Sequence, residues 1–239
     1  MFSFLFQAAD AQSRYFETKG IYLYEGGMDS VVVGGVIENV SDTPRGSVEI
    51  SITLYDRDGN TIGTVTGNTN VDVMHPGQIS SFETILRGQA NFSSIDRWNM
   101  TVTSEVAESK ASSLMLVVEE TRIDPRGVYF LEGTVTNNGN ATATNVRVSA
   151  AFYDQNDQVV ASAISPASPQ NLEPGQSAPF QLVVMDNPYS GSIASATLSV
   201  ESIEYTIMPE FSLVVVALFG GIMGVVVYAT RVRFCRPIV

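Results

Sequence analysis

The stretch SVEISITLYD, residues Ser47–Asp56, alternates apolar and polar residues without interruption. Val48, Ile50, Ile52 and Leu54 share one parity, and the residues between them are polar. Because the side chains of a strand point alternately to two faces, this pattern predicts a strand with one buried face. Half-buried strands of this kind are typical of antiparallel sheets.

Strand and turn signals continue on both sides of this stretch. The β-branched run Val31–Val40 ends at a turn signal over Ser41–Pro44. Arg57–Asn60, RDGN, predicts a hairpin turn. A second turn over Met74–Gln78 precedes another alternating stretch, Ile79–Leu86. With no amphipathic helix between these strands, the pattern predicts an all-β sandwich.

The same order of strands and turns recurs 98 residues later without a gap. Tyr55-Asp56 corresponds to Tyr153-Asp154, and the P-G-Q turn at 76–78 corresponds to the one at 174–176. This register predicts an internal duplication, with two copies of one all-β module of about 95 residues. Further identities at this offset are Gly35/Gly133, Asn39/Asn137, Val48/Val146, Ser51/Ser149, Phe82/Phe180, Ile95/Ile193 and Val102/Val200.

The duplication divides the chain into segments. The small polar stretch Glu108–Ser113 is the predicted linker between the two copies. The start, MFSFLFQAA, is apolar and precedes a small-x-small pattern at Ala9–Ala11, which suggests a signal-peptide remnant or, alternatively, a disordered tail. The predicted segments are an N-terminal remnant or tail over 1–20, a first sandwich over 21–107, a linker over 108–113, a second sandwich over 114–206, and a membrane anchor over 207–239.

Each copy resembles the FxLYD-type module, an immunoglobulin-like sandwich of bacterial and archaeal surface and secreted proteins. The resemblance implies two tandem immunoglobulin-like β-sandwiches with adhesive, spacing or structural roles. The first copy departs from the pattern at Val33-Gly34-Gly35, where bulkier residues are expected before the glycine. The resemblance is carried by G-x-x-x-N (Gly35–Asn39 and Gly133–Asn137), by Leu54-Tyr55-Asp56 and Phe152-Tyr153-Asp154, and by the P-G-Q turns followed by Phe82 and Phe180.

The segment Phe211–Ala229, FSLVVVALFGGIMGVVVYA, contains no charged residue. At about 1.5 Å per residue it is long enough to predict one transmembrane α-helix. Its small residues Gly220 and Gly224 form a G-x-x-x-G pattern suited to helix docking. The predicted anchor contains Phe211, Leu213, Gly220, Gly224 and Ala229, and the positive-inside rule places Arg231, Arg233 and Arg236 in the cytoplasm.

Pro209-Glu210-Phe211, followed by an apolar stretch and arginines, resembles the PEF-type C-terminal sorting signal of archaeal surface proteins. The resemblance implies removal of the tail by a sorting enzyme and attachment of a lipid. The tail departs from that pattern by containing Cys235 and Pro237 and by continuing to Val239. A retained anchor therefore stays open as the alternative.

Composition excludes several functions. The net charge of −12 argues against binding to DNA or RNA. Cys235 is the only cysteine and His75 the only histidine, which excludes an internal disulfide and argues against a transition-metal site. The chain carries no G-x-S-x-G, no H-E-x-x-H and no phosphate-binding glycine loop. We therefore predict neither a cofactor nor enzymatic activity.

Asp56, Asp58 and Asn60 resemble the first half of a calcium-binding loop, with oxygen ligands at alternate positions. Such a loop needs a bidentate acid eleven residues after its first ligand, and Gly67 occupies that position. An ordinary hairpin turn and a weak calcium site both stay open.

Four N-x-S/T sequences are candidate N-glycosylation sites: Asn39, Asn91, Asn99 and Asn140. Asn140 lies in the predicted turn Asn137–Asn140 and is expected to be the most exposed of the four. Asn39 has an alternative role as a turn-forming residue.

These observations predict a non-enzymatic cell-surface protein with a structural, spacing or protein–protein interaction role. It would cross the cell membrane once, with its sandwiches extracellular and its C-terminus cytoplasmic. Its expected partners are the lipid bilayer and other membrane or surface-layer proteins, with N-glycans attached. The alternatives are an accessory subunit of a membrane protein complex, docked by its helix and capping the extracellular face, and a calcium- or carbohydrate-binding surface module.

Overall fold

A computed structural model describes residues 14–88 and 91–207, together with the backbone of 214–216 and 226–228. The described residues form β-strands joined by turns, with two single-turn 3₁₀ helices at Phe92–Ser94 and Ser190–Ser192. The predicted all-β, β-sandwich character is confirmed.

The first half of the chain forms two sheets. One has the strand order β1-β2-β6, and the other has the order β4-β3-β7, with the short β5 also paired to β3. The strands are β1 Phe16–Gly26, β2 Ser30–Asn39, β3 Arg45–Tyr55, β4 Thr61–Asn68, β5 Val73–Met74, β6 Ile79–Arg87 and β7 Arg97–Val106. β1 thus begins inside the segment predicted to be a tail.

The second half forms one strongly curved sheet with the order β11-β10-β13-β14-β8-β9-β12. The short β14 pairs in parallel with β8 and antiparallel with β13, and so joins the two layers along one side. The strands are β8 Ala111–Ile123, β9 Tyr129–Asn137, β10 Arg147–Tyr153, β11 Val159–Pro166, β12 Ser177–Val184, β13 Ser195–Glu201 and β14 Tyr205–Ile207. β8 begins inside the segment predicted to be a linker.

The two halves share one plan of strand pairing. The order β1-β2-β6 has its counterpart in β8-β9-β12, and the order β4-β3-β7 has its counterpart in β11-β10-β13. The offset of 98 residues carries β4 onto β11, and it carries the first 3₁₀ helix onto the second. The same spacing of turns along the sequence therefore generates the same topology twice.

Each half has its own apolar core between its two layers. The alternating apolar residues of Ser47–Asp56 lie in the first core, each at most 2% exposed. Burial of such a side chain is worth about 1.5–3 kcal/mol, which makes β3 and β10 central to the two cores. Their buried residues are Val48, Ile50, Ile52 and Leu54 in β3, and Val148, Ala150 and Phe152 in β10, with Val146 just before it.

The prediction of a transmembrane α-helix over Phe211–Ala229 is wrong. This segment contains two strands, β15 Val214–Val216 and β16 Val226–Tyr228, which pair with each other. No helix in the described part of the chain is long and apolar enough to cross a membrane. The physical reason is that runs of β-branched valine favour strands, whereas hydropathy and length alone do not distinguish strand from helix.

Other predictions for this tail fall on residues outside the described part. These residues are Pro209, Glu210, Phe211, Leu213, Gly220, Gly224, Ala229, Arg231, Arg233 and Arg236.

Candidate functional site at the junction of the two sandwiches

The outer face of sheet β1-β2-β6 packs against the second sandwich. β2 is buried along nearly its whole length, although only one of its faces lines the first core. On its other face, Val32 and Val36 form an apolar cluster with Ala151 and Val159 of the second sandwich. We call this contact region, completed by the residues described next, the junction.

Tyr22 occupies the centre of the junction because Gly34 leaves room for its ring. A Cβ atom on Gly34 would lie 2.2 Å from Cζ of Tyr22. The Tyr22 hydroxyl donates to Glu83 Oε2 at 2.6 Å and lies 3.1 Å from Ser162 Oγ in the second sandwich. Burial raises the pKa of Tyr22 well above its usual range, with the Glu83 carboxylate adding to the effect, so the hydroxyl stays neutral and can donate.

Glu201 provides the charged part of the junction. Its carboxylate is buried in the second sandwich and accepts hydrogen bonds from the backbone N–H groups of Asp72 (2.6 Å) and Val73 (3.1 Å) in the first. It also forms an ion pair with Lys110, whose Nζ donates to the carbonyl of Ser202 at 2.6 Å. Burial raises the pKa of Glu201, while the hydrogen bond from Lys110 opposes that rise.

Further contacts surround this ion pair. Arg147 Nη2 lies 2.5 Å from Asp72 Oδ2, which adds another polar link between the two sandwiches. The backbone N–H of Lys110 donates to Nε2 of His75 at 3.3 Å, which attaches the connecting segment to the first sandwich. Burial, and then the charge of Lys110, lower the pKa of His75, which favours its neutral form. Together these contacts can fix the orientation of one sandwich on the other.

The sequence-based prediction of site residues missed the junction. Lys110 was visible as one of only two lysines, and His75 as the only histidine. The strongest signal was the departure at Val33-Gly34-Gly35, because a glycine in place of a bulky residue marks a close approach by another group.

The candidate calcium residues lie in the β3–β4 turn. The Asp56 carboxylate accepts from Asn60 through both oxygens, from its N–H at 2.8 Å and from its Nδ2 at 2.9 Å. These hydrogen bonds from Asn60 lower the pKa of Asp56. Asp58 is exposed. Within the described residues, no group of three or more His, Cys, Asp or Glu side chains converges into a potential metal site. The calcium hypothesis stays a prediction.

The candidate glycosylation residues occupy different environments. Asn39 is fully buried, and its Nδ2 donates to the carbonyls of Thr43 and Met74, a geometry that fits its alternative role as a turn-former. Asn91 is exposed at the start of the first 3₁₀ helix, and Asn140 is exposed in the turn after β9. The remaining candidate, Asn99, is half-buried on β7. Glycan occupancy at all four stays a prediction.

Comparison with known proteins adds little. No family model and no curated protein sequence matches this chain. Exo-chitosanase CsxA of Amycolatopsis orientalis matches with a TM-score of 0.29 and 12% identity, over 78% of this chain and 26% of that one. Red sea bream transglutaminase matches with a TM-score of 0.26 and 9% identity, over 81% and 31%. Bacteroides uniformis beta-glucuronidase matches with a TM-score of 0.26 and 9% identity, over 77% and 25%. The chain thus spans between a quarter and a third of the length of these enzymes, and similarity this low carries no conclusion about activity.

Proposed function

We propose that this protein is a non-enzymatic structural module that holds two β-sandwiches in a fixed relative orientation, as a spacer or as a surface for protein contacts. The observation that carries the proposal is the buried Glu201 carboxylate of the second sandwich, which accepts hydrogen bonds from the backbone N–H groups of Asp72 and Val73 in the first sandwich and pairs with Lys110. Domains of one chain usually move relative to each other unless their interface is large and apolar or otherwise fixed.

Separating the sandwiches would be costly for two reasons. First, it would expose Tyr22, Tyr24, Val32 and Val36 to water, and burial of apolar surface is worth about 25 cal/mol per Å². Second, it would remove the backbone N–H groups that Glu201 accepts from, together with the Arg147–Asp72 ion pair. Separation would break the apolar and the polar contacts at the same time. We therefore expect one dominant orientation of the two sandwiches relative to each other.

We further propose that this module works at the cell surface. The acidic composition, the exposed N-x-S/T positions Asn91 and Asn140, and the resemblance to surface-protein modules support this location. Its partners would be other surface proteins.

The rigid orientation is testable by pulsed electron paramagnetic resonance on the full chain. Spin labels at Asp58→Cys and Asn156→Cys, with Cys235 replaced by serine, would report the distance between equivalent exposed turns of the two sandwiches. We expect one narrow distance distribution. Glu201→Ala should broaden it, because removal of one partner leaves Lys110 as a buried unpaired charge.

The exposed Glu173→Ala is the matched control and should leave the distribution narrow. A broad distribution in the labelled parent protein would refute the rigid-module proposal.

A further inference from the structure

β7 leaves one edge of the first sandwich open. It pairs with β3, and no other strand in the described part of the chain pairs with it. The N–H and C=O groups on its outer edge are therefore available to an additional strand.

The second sandwich shows what this edge of the fold accepts. Its equivalent strand β13 pairs with β10 on one side, as β7 pairs with β3. On its other side, Ser195–Thr197 pairs antiparallel with β15, and Glu201 pairs with Thr206 of β14. The offset of 98 residues carries Ser195–Thr197 onto Arg97–Asn99 of β7. The same edge is thus covered by an antiparallel strand in the second copy, whereas in the first copy no strand among the described residues covers it.

β7 carries few of the features that usually protect an edge strand, although its ladder with β3 has one register shift opposite Thr103–Glu105. Prolines, β-bulges and lysines on an edge strand prevent its pairing with another chain, and glycine in the strand weakens such pairing. β1 has a bulge between Thr18 and Gly20, and β12 contains Pro179. β7, with the sequence RWNMTVTSEV, has no proline, glycine or lysine, and its only charged residues, Arg97 and Glu105, lie near its two ends.

The sequence of β7 is complementary to itself in the antiparallel direction. If two copies pair about Thr101, Arg97 of each lies opposite Glu105 of the other, because the two positions are equally far from the centre. In the same register, Asn99 faces Thr103 and Met100 faces Val102. Cross-strand pairs of opposite charge, of threonines and of apolar residues each stabilise a sheet.

In this register, the residues on each face of one β7 strand lie opposite residues on the same face of the other. The exposed residues Arg97, Thr101 and Glu105 share one parity, and the buried residues Trp98 and Met100 share the other. Pairing about Thr101 joins residues of equal parity, so the exposed Arg97 lies opposite the exposed Glu105, and the buried Trp98 and Met100 lie opposite the half-buried Ser104 and Val102. Arg97 and Glu105 form none of the ion pairs between described residues, although the Arg97 guanidinium lies 5.7 Å from the centroid of the Tyr55 ring.

We propose that two copies of this chain associate through antiparallel pairing of their β7 strands about Thr101. The resulting contact is two-fold symmetric and closes at the dimer, with one continuous sheet running through both first sandwiches. This inference goes beyond the rigid-module proposal and does not rest on it, since a rigid chain could function as a monomer.

Sedimentation equilibrium on the full chain tests the proposal through charge exchange. We expect a concentration-dependent dimer for the parent protein. Arg97→Glu and Glu105→Arg should each weaken it by about tenfold or more, because each variant places like charges opposite one another twice per dimer. The double variant should dimerise like the parent. A mixture of the two single variants should form a heterodimer, because every charge pair in it is again opposite.

Arg87→Glu, at an exposed position at the end of β6, changes the net charge by the same amount as Arg97→Glu and should leave the dimer intact. Circular dichroism of each variant would establish that it is folded. A parent protein that is monomeric at its highest soluble concentration would overturn the proposal. So would single variants that dimerise like the parent, or a failure of the mixture and the double variant to recover association.

Discussion

Asn39 and Asn137 show how a single side chain can determine a repeated local structure. Nδ2 of Asn137 donates to the carbonyls of Ala141 and Leu172, and its Oδ1 accepts from the N–H of Gly139. Asn39 makes the same set of contacts 98 residues earlier, to Thr43, Met74 and Ser41. The carboxamide thus connects the end of a strand to two loops, and it uses donors and acceptors that no apolar residue can supply.

Replacing Asn137 by alanine should destabilise the protein by about 3 kcal/mol, because two carbonyl groups lose their donor. Asn137 is fully buried, so water does not readily replace the lost hydrogen bonds. The free energy of unfolding measured in urea would report this loss. Gln155→Ala, in the exposed turn between β10 and β11, is the control and should change stability by less than about 0.5 kcal/mol. Equal losses in the two variants would contradict this role of Asn137.

At the scale of the element, β2 and β9 are equivalent strands with different outer faces. The outer face of β2 carries Val32, Gly34 and Val36 and lies in the junction. At the equivalent position to Gly34, β9 carries Glu132, which accepts hydrogen bonds from Arg122 and Gln181 on an exposed face. The inner faces have kept the same core role, so the difference between the copies arises from what covers the outer face.

Gly34→Ala should therefore destabilise the protein by about 1–3 kcal/mol, since the added methyl group overlaps the ring of Tyr22. The equivalent change in the second copy, Glu132→Ala, should cost less than about 0.5 kcal/mol because that face is open to solvent. Thermal and urea unfolding of the two variants would test the difference.

A smaller residue at position 22 supplies the internal check. In a Tyr22→Leu background, Gly34→Ala should cost less than it does in the parent, because the overlapping ring is gone. A cost that does not depend on residue 22 would argue against the close packing inferred for Gly34.

The sequence predicted those elements whose signal is local. Alternation of apolar and polar residues located β3, and the turn signals of Arg57–Asn60 and Met74–Gln78 located its neighbours. The tail was predicted incorrectly because a long valine-rich run is long enough for a transmembrane helix, whereas its residues have a high propensity for strands. The junction could not be predicted, because the burial of Glu201 depends on groups more than a hundred residues away in the chain.

At the scale of the whole molecule, the residues that form the junction are not repeated on the free faces of the two sandwiches. In the first sandwich, the positions equivalent to Ala151 and Val159 are the polar Thr53 and Thr61. On the second sandwich, the equivalent of Gly34 is the half-buried, charged Glu132, flanked on the same face by Phe130 and Thr134. A third sandwich would therefore meet two threonines on the first sandwich and a carboxylate on the second, in place of the apolar residues and the glycine of the junction.

The buried Glu201 of the junction should also make the free energy of unfolding depend on pH, with a contribution that increases as the pH falls. Burial raises the pKa of Glu201 above its ordinary value near 4.5, so the folded protein binds its proton more tightly than the unfolded chain does. Between these two values the folded state holds more protons, and the free energy of unfolding contributed by this group rises as the pH falls. A tenfold difference in proton affinity between the folded and unfolded states corresponds to about 1.4 kcal/mol.

We therefore expect the stability of the parent protein relative to Glu201→Gln to increase as the pH is lowered from 7 toward the ordinary value of the carboxyl group, because glutamine does not titrate. Urea unfolding of both proteins at a series of pH values would measure this difference, and Glu173→Gln would show the behaviour of an exposed carboxyl. A difference that decreases as the pH falls would mean that the ion pair with Lys110 outweighs burial. In that case acid would loosen the junction rather than strengthen it.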